Sequence, residues 1–245
     1  MFQFHKMHGL GNDFIIVDCR HQSFDLDLKT IQKLSDRQHG VGFDLMIVLQ
    51  ESQSAGVDYH YRLFNRDGSE AKQCGNGVRC LAKYLFQHVD GKIHHRLASN
   101  WYVIETSVLT DGQVMANMGQ PCKVALNQTI MLNEQQISYH FVDIGNQHVT
   151  VLDQAKKTPD GKEQLGQAFN THERFSDGIN VGMMNIESPS EVLLTVYERG
   201  CGVTQACGSG ATAAVIAGIA LGLLERSVKV IQVGGELQIT WQDDD

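Results

Sequence analysis

The chain has 245 residues, 42% of them hydrophobic, and its 20 Lys and Arg against 28 Asp and Glu give a net charge of −8. That is the make-up of a globular protein of one or two domains, large enough to hold a core without disulfides or metal. The acidic balance excludes the basic footprint that nucleic-acid binding needs, and no run of cations is longer than Lys156-Lys157.

Met1 to His8 alternates apolar and polar residues and lacks the apolar centre of a signal peptide, so a cytoplasmic protein is expected. The segment Tyr59, Tyr61, Leu63 has the strand period of two, as do Leu237, Ile239 and Trp241. Val78, Leu81, Ala82, Leu85 and Val89 fall at helical spacing directly after Gly75-Asn76-Gly77. Ala211 to Leu224 follows Gly208-Ser209-Gly210 in the same way. Its 14 residues are apolar enough for a buried helix but short of the ~20 that span a bilayer, so no membrane partner is expected. Ala213, Ala214, Ala217 and Gly218 leave room for close packing along it. After each helix comes a hairpin signal, Asp111-Gly112 in one case and Gly234-Gly235 in the other.

The parallel extends to an internal repeat. Asn12 precedes Cys74 by 62 positions and Asn146 precedes Cys207 by 61, while Phe64-Asn65-Arg66 falls on Tyr197-Glu198-Arg199 at the 133-residue offset that separates the two cysteines. Gly-Asn and Cys-Gly are common pairs, but three matches in register indicate a duplication. The boundary is expected near Gly119-Gln120-Pro121, giving an N-terminal repeat domain, 1–118, carrying Cys74 and a C-terminal one, 119–245, carrying Cys207.

In each copy a cysteine stands one residue before a Gly-x-Gly turn that opens a helix. There the unpaired N–H groups and the positive dipole end favour a thiolate and can also receive a carboxylate. The glycines of the two loops are expected to keep the backbone open to a ligand. Two equivalent thiols flanking one carboxylate-bearing carbon are what a racemase needs, since inversion takes a base on one face and an acid on the other. The pair shares one proton, so the two titrations belong to both. Six cysteines with no Cys-x-x-Cys pair speak against a disulfide scaffold or a zinc site, and no histidine spacing suggests a metal.

The strings Met7-His8-Gly9-Leu10-Gly11-Asn12-Asp13-Phe14, Phe64-Asn65-Arg66-Asp67-Gly68-Ser69-Glu70, Cys74-Gly75-Asn76-Gly77-Val78-Arg79-Cys80, Tyr197-Glu198-Arg199-Gly200 and Thr204-Gln205-Ala206-Cys207-Gly208-Ser209-Gly210 resemble the diaminopimelate epimerases over essentially the whole chain. The resemblance implies an α/β (α+β) fold of two pseudo-symmetric domains, each a mixed sheet wrapped around a central helix, with the active site in the cleft between them. It implies a cofactor-independent isomerase of lysine biosynthesis, an amino acid as substrate and a homodimer. Carried over by residue, Cys74 and Cys207 are the acid/base pair, aided by His148 and Glu198. The amides of Gly75, Asn76, Gly208 and Ser209 would hold the reacting carboxylate, Asn12, Asn65, Asn146 and Asn180 the substrate, and Glu198 and Arg199 its distal end.

Each residue has a plainer reading. Cys19, Cys122, Cys201 and Cys80 read as small buried hydrophobes, Asn12 and Asn146 as turn formers, Glu198 and Arg199 as a solvated pair, and His94-His95 as surface. Glu198 and Arg199 are adjacent on an apparent strand, so both can line one wall only at a bulge or strand end. Departures from the family pattern are Leu45 for glutamine, Gln147 for proline, Val203 for an acid and Arg66 for alanine. The family chain usually continues one strand pair beyond the point where this one ends, Asp243-Asp244-Asp245. The competing functions are a cysteine-pair racemase of another amino acid, favoured by Leu45, and a non-catalytic or thiol-redox relative.

Overall fold

The computed structural model describes residues 3–23, 27–153 and 157–241, so Met1, Phe2, Lys156 and the terminal aspartates fall outside it. The chain divides into two compact units, Met1–Met118 and Gly119–Asp245. Each unit is one mixed sheet with two helices, and the two share a connection pattern.

In the first unit β1 (His5–Gly9) and β2 (Asn12–Asp18) form a hairpin, and α1 (Leu28–Ser35) carries the chain to β3 (Leu45–Glu51), parallel to β2. An antiparallel β4 (Tyr59–Asn65) follows, with the short β5 (Glu70–Ala71) beside it. Then α2 (Gly75–His88) crosses to β6 (His94–Ala98), parallel to β4, and β7 (Val103–Val108) and β8 (Val114–Ala116) complete the sheet. The second unit opens with one more strand, then follows the same order to two strands, rather than three, after its second helix. It runs β9 (Lys123–Leu132), β10 (Gln135–Asp143), β11 (Gln147–Leu152), α3 (Pro159–Thr171), β12 (Asn180–Ser188), β13 (Glu191–Glu198), β14 (Gly202–Thr204), α4 (Gly208–Ala220), β15 (Ser227–Gln232) and β16 (Gly235–Thr240). The crossovers match in register: five parallel pairs run from Phe14↔Leu45 in one half and five from His148↔Asn180 in the other.

Burial explains the layering. Phe14 to Val17 are fully buried in succession, as a parallel strand covered on both faces should be. Phe14 and Ile16 pack with Val78, Leu81 and Leu85 of α2, while Ile15 and Val17 pack with Ile31 of α1. In the second half Val149, Val151 and Val181 face Leu165 and Phe169 of α3. Val192, Leu194 and Val196 face Ala211, Ala214 and Val215 of α4. Both α2 and α4 touch strands from the two ends of their sheet's order, β1 and β8 for α2 and β16 and β9 for α4, so each sheet curls around one helix.

Several local expectations shift. The glycine triplets are the first turns of α2 and α4 rather than loops before them, and the cysteines are the N-caps. α4 accordingly starts at Gly208 and ends at Ala220, not Leu224, because Gly222 takes a positive φ of 72° just beyond the C-cap Leu221. Gln232 pairs with Gly235, so the second hairpin turns on Val233-Gly234, one residue earlier than Gly234-Gly235, and Trp241 follows the end of β16. His95 is buried with Nε2 3.1 Å from the Asp90 carboxylate, whereas His94 is exposed; strand alternation separates neighbours. Cys122 and Cys201 are exposed and Cys19 half-buried, leaving Cys80 as the one of those four inside a core. Among the described residues no helix is long and apolar enough to cross a membrane, and no three His, Cys, Asp or Glu side chains gather as metal ligands.

Candidate active site

The site residues of the first half gather at the start of α2 and at the ends of β2 and β4 nearest it. Leu10 and Gly11 both have positive φ, 57° and 81°, which makes the tight turn that delivers Asn12 to the start of β2. Asn12 is held from one side by Asp44, whose Oδ2 accepts from its Nδ2 at 3.0 Å, and its Oδ1 lies 3.6 Å from the Cys74 Sγ. Asp44 and Asp13 share Arg37, so a charged cluster anchors this corner. Cys74 is half-buried and caps its helix, its sulfur accepting from the Gly77 N–H at 3.4 Å. Gly75 and Asn76 are the first two residues of α2, where N–H groups have no partner within the helix. Asn65 ends β4 and donates to Ser69 Oγ at 2.9 Å across the β4–β5 turn.

In the second half Asn146 precedes β11 and donates to Ser209 Oγ at 3.1 Å, while its Oδ1 is buried without a hydrogen bond. Ser209 Oγ lies 3.5 Å from the Cys207 sulfur. Cys207 is buried, forms no side-chain cap to its helix, and donates its own N–H to Gln232 Oε1 at 2.8 Å. Glu198 is the last residue of β13 and accepts from Thr204 Oγ1 at 2.6 Å. The strand ends there, which is the condition the adjacency of Glu198 and Arg199 imposed. Arg199, beyond the strand, is exposed, and its N–H donates to Asn180 Oδ1 at 3.1 Å. Asn180 in turn donates to the Gln147 carbonyl at 3.0 Å, so it clips the ends of β11, β12 and β13.

The thiolate expectation does not hold for Cys207. Burial pushes this thiol well above its usual value, the Glu198 carboxylate beside it adds to the rise, and the Ser209 hydroxyl only partly offsets them. Desolvation outweighs the helix end because the sulfur sits 6% exposed in an apolar core. His148 is 1% exposed, its pKa is brought down to about 3 by burial, and neither ring nitrogen has a hydrogen-bond partner. The imidazole is therefore neutral. Gly77 and Gly210 serve packing rather than ligand access, since a Cβ would lie 3.1 Å from the Phe14 ring and 2.9 Å from Val196 Cγ2 respectively.

Three residues at the site had no role in the sequence reading: Asp44, Gln232 and Arg79. Asp44 lies one residue from the departure at Leu45, and Arg79 stands inside the Cys74 string. Gln232, at the end of β15, carried no local signal because only the sheet brings it to Cys207.

Known proteins match along the full length. Residues 4–124 and 140–245 fit the family described as diaminopimelate epimerase. The chain is similar to the diaminopimelate epimerases of Acinetobacter baumannii strain AYE, at 39% identity, and of Acinetobacter baylyi, at 38%, each match covering 100% of this chain and 92% of the relative. Among solved structures, a hydroxyproline epimerase from Agrobacterium vitis superposes with a TM-score of 0.76 at 13% identity, covering 99% of this chain and 83% of that one. A PhzF-family phenazine biosynthesis protein from Bacillus anthracis gives 0.67 at 14%, covering 97% and 88%. At such identities these two show the fold alone.

Proposed function

Because this chain belongs to the diaminopimelate epimerase family, we propose that Cys74 and Cys207 interconvert L,L- and meso-diaminopimelate by moving one proton at the α-carbon. The observation that carries the reading is the repeated placement of a cysteine as N-cap of a glycine-opened helix, at the same point of two matching sheets. One sulfur, as thiolate, removes the α-proton; the other, as thiol, delivers its proton to the opposite face, and the reverse direction exchanges the roles. Charge developing on the substrate carboxylate falls to the N–H groups of Gly75 and Asn76 and of Gly208 and Ser209, preorganised donors that need no cofactor. Asn12 and Asn146 orient beside the two sulfurs through the contacts already described.

Glu198 keeps the proton on Cys207 between turnovers, so that this residue enters the cycle as the acid. His148, a neutral imidazole sealed from water, would help set the protonation of the cysteines from within the core. Asn65, Asn180, Glu198 and Arg199 flank the distal amino-acid end, where the exposed Arg199 guanidinium, which gives one N–H to the Asp177 carbonyl at 3.4 Å, would take a carboxylate. The fuller reading is a homodimer of the cytoplasm acting in lysine biosynthesis. Light scattering on the eluting protein tests the dimer.

The decisive experiment is exchange of the α-proton in heavy water, followed by NMR for L,L-diaminopimelate and a panel of single-centre amino acids, with Cys74→Ser and Cys207→Ser beside the native chain. Epimerisation of diaminopimelate that both substitutions abolish is the expected result. Exchange confined to another amino acid would move the substrate and make Leu45 the first specificity residue to revert, and no exchange with fully reduced thiols would end the racemase reading.

A further inference from the structure

Arg79 takes no part in the reaction as derived above, yet it is a mostly buried cation beside the first thiol. It stands one turn into α2, and its side chain folds back over the helix start: Nη2 donates to Asn76 Oδ1, and Nη1 lies 3.7 Å from where a Cβ on Gly75 would sit. This is the positive end of a helix, the wrong place for a cation, and the site also strips most of its water. Burial lowers its pKa from the usual arginine value, and the groups that oppose this are the thiols of Cys74 and then Cys80. Among the described residues no carboxylate pairs with it.

The corresponding position of the second half, 133 residues on, is Thr212, whose hydroxyl bonds the Gly208 carbonyl at 3.0 Å within its own helix. Conversely, Glu198 beside Cys207 corresponds to the uncharged Asn65. The frame is symmetric and its charges are opposed: a cation next to one thiol, a carboxylate next to the other. The groups facing Cys74 include Asn12 from β2, Tyr61 from β4, and Arg79 and Cys80 from its own helix. Burial raises Tyr61 and Cys80 to about 12, so both stay neutral and Arg79 is the formal charge among the four. Facing Cys207 are Glu198 from β13, Gln232 from β15 and Ser209 from its own helix.

We propose that Arg79 is a positioning residue that holds the single negative charge of the thiol pair on Cys74 and leaves the proton on Cys207. This rests on the two-thiol reading of the preceding subsection, in which Cys207 enters as the acid, and it adds the group that holds the charge on Cys74.

The test is alkylation with iodoacetamide across a pH series, read peptide by peptide by mass spectrometry, on the native chain, Arg79→Met and Arg79→Lys. The midpoint of each pH curve is compared, not the rate, because Cys207 is the less accessible. The native chain should show Cys74 titrating below Cys207. Arg79→Met should raise the Cys74 midpoint by about one unit or more, the size of an adjacent opposite charge, and Arg79→Lys should keep it near the native value. A native Cys207 midpoint below that of Cys74 overturns the proposal without any variant. So does a Cys74 midpoint that Arg79→Met leaves in place, or that Met and Lys raise equally, which would mean packing and not charge. None of these readouts needs turnover, so failure of the epimerase reading would appear separately, as absent α-proton exchange.

Discussion

The two halves of the molecule share a backbone plan and differ at the side chains that meet their thiols. Phe14 and His148 occupy the same first place of the two parallel ladders, as do Leu45 and Asn180 at their partners' positions. In the first half that place is a hydrophobic anchor, Phe14 against Gly77 and Val78. In the second it is an imidazole sealed from water, both nitrogens unbonded, a burial that costs about 1–3 kcal/mol per unsatisfied group. Cys74 is half-buried, whereas Cys207 is buried and next to a carboxylate. Duplication supplies two matched positions, and the surroundings then differ: burial and the Glu198 carboxylate raise the Cys207 thiol, while Arg79 folds back over the start of the helix that Cys74 caps.

The harshest way to break the comparison is to remove either sulfur. Cys74→Ala and Cys207→Ala should each cut kcat by about 10²–10⁴, the contribution of a positioned acid or base, measured as epimerisation of diaminopimelate. Losses differing by orders of magnitude would show that only one half is chemically engaged. Next comes acid stability. His148, held at about 3 when folded against an ordinary 6.5, stays neutral while the unfolded chain takes up a proton, so folded stability falls as pH drops from about 6.5 toward 3. His148→Phe, which copies the first half, should remove that acid sensitivity, a difference on the order of a few kcal/mol, in urea unfolding at acid pH. At neutral pH the same variant should unfold a few degrees higher, at about 2–4 °C per kcal/mol for a chain of this size, while epimerisation falls. A variant as acid-sensitive as the native chain would refute the burial argument.

Glu198→Gln sharpens the comparison at the other sulfur. Removing the carboxylate should lower the Cys207 alkylation midpoint, because its charge helps to raise that thiol; a midpoint left in place would show that burial alone raises it. Thr204 can still donate to the amide oxygen, so an unfolded product is not expected. Gly210→Ala should destabilise more than Gly77→Ala in thermal melts, by about 1 kcal/mol or more, because overpacking of 2.9 Å against Val196 must move backbone-near atoms. The smallest effect is expected for Cys122→Ser: this exposed thiol belongs to neither site, so activity should be unchanged.

Much of this was legible in residues. The repeat offset, the cysteine before each glycine turn and the two amphipathic helices are local signals, and local signals survive without a fold. Glu198 and Arg199 posed a problem that the sequence could state and not resolve; the end of β13 resolves it. A pair of histidines looks like surface in the sequence, and only the strand's alternation buries His95 against Asp90. The glycines were read as room for ligand, whereas at Gly77 and Gly210 the room is taken by Phe14 and Val196, contacts between residues 63 and 14 positions apart in sequence.

By itself the sequence determined that there are two pseudo-symmetric halves, a cysteine before a glycine-opened helix in each, and the family to which the chain belongs. These follow from order and spacing along the chain, which need no third dimension. What the tertiary structure decided is the state of those cysteines. Burial and the Glu198 carboxylate raise the Cys207 thiol, and Arg79 folds back over the start of the helix that Cys74 caps; desolvation depends on what surrounds a group in space rather than on what precedes it in the chain.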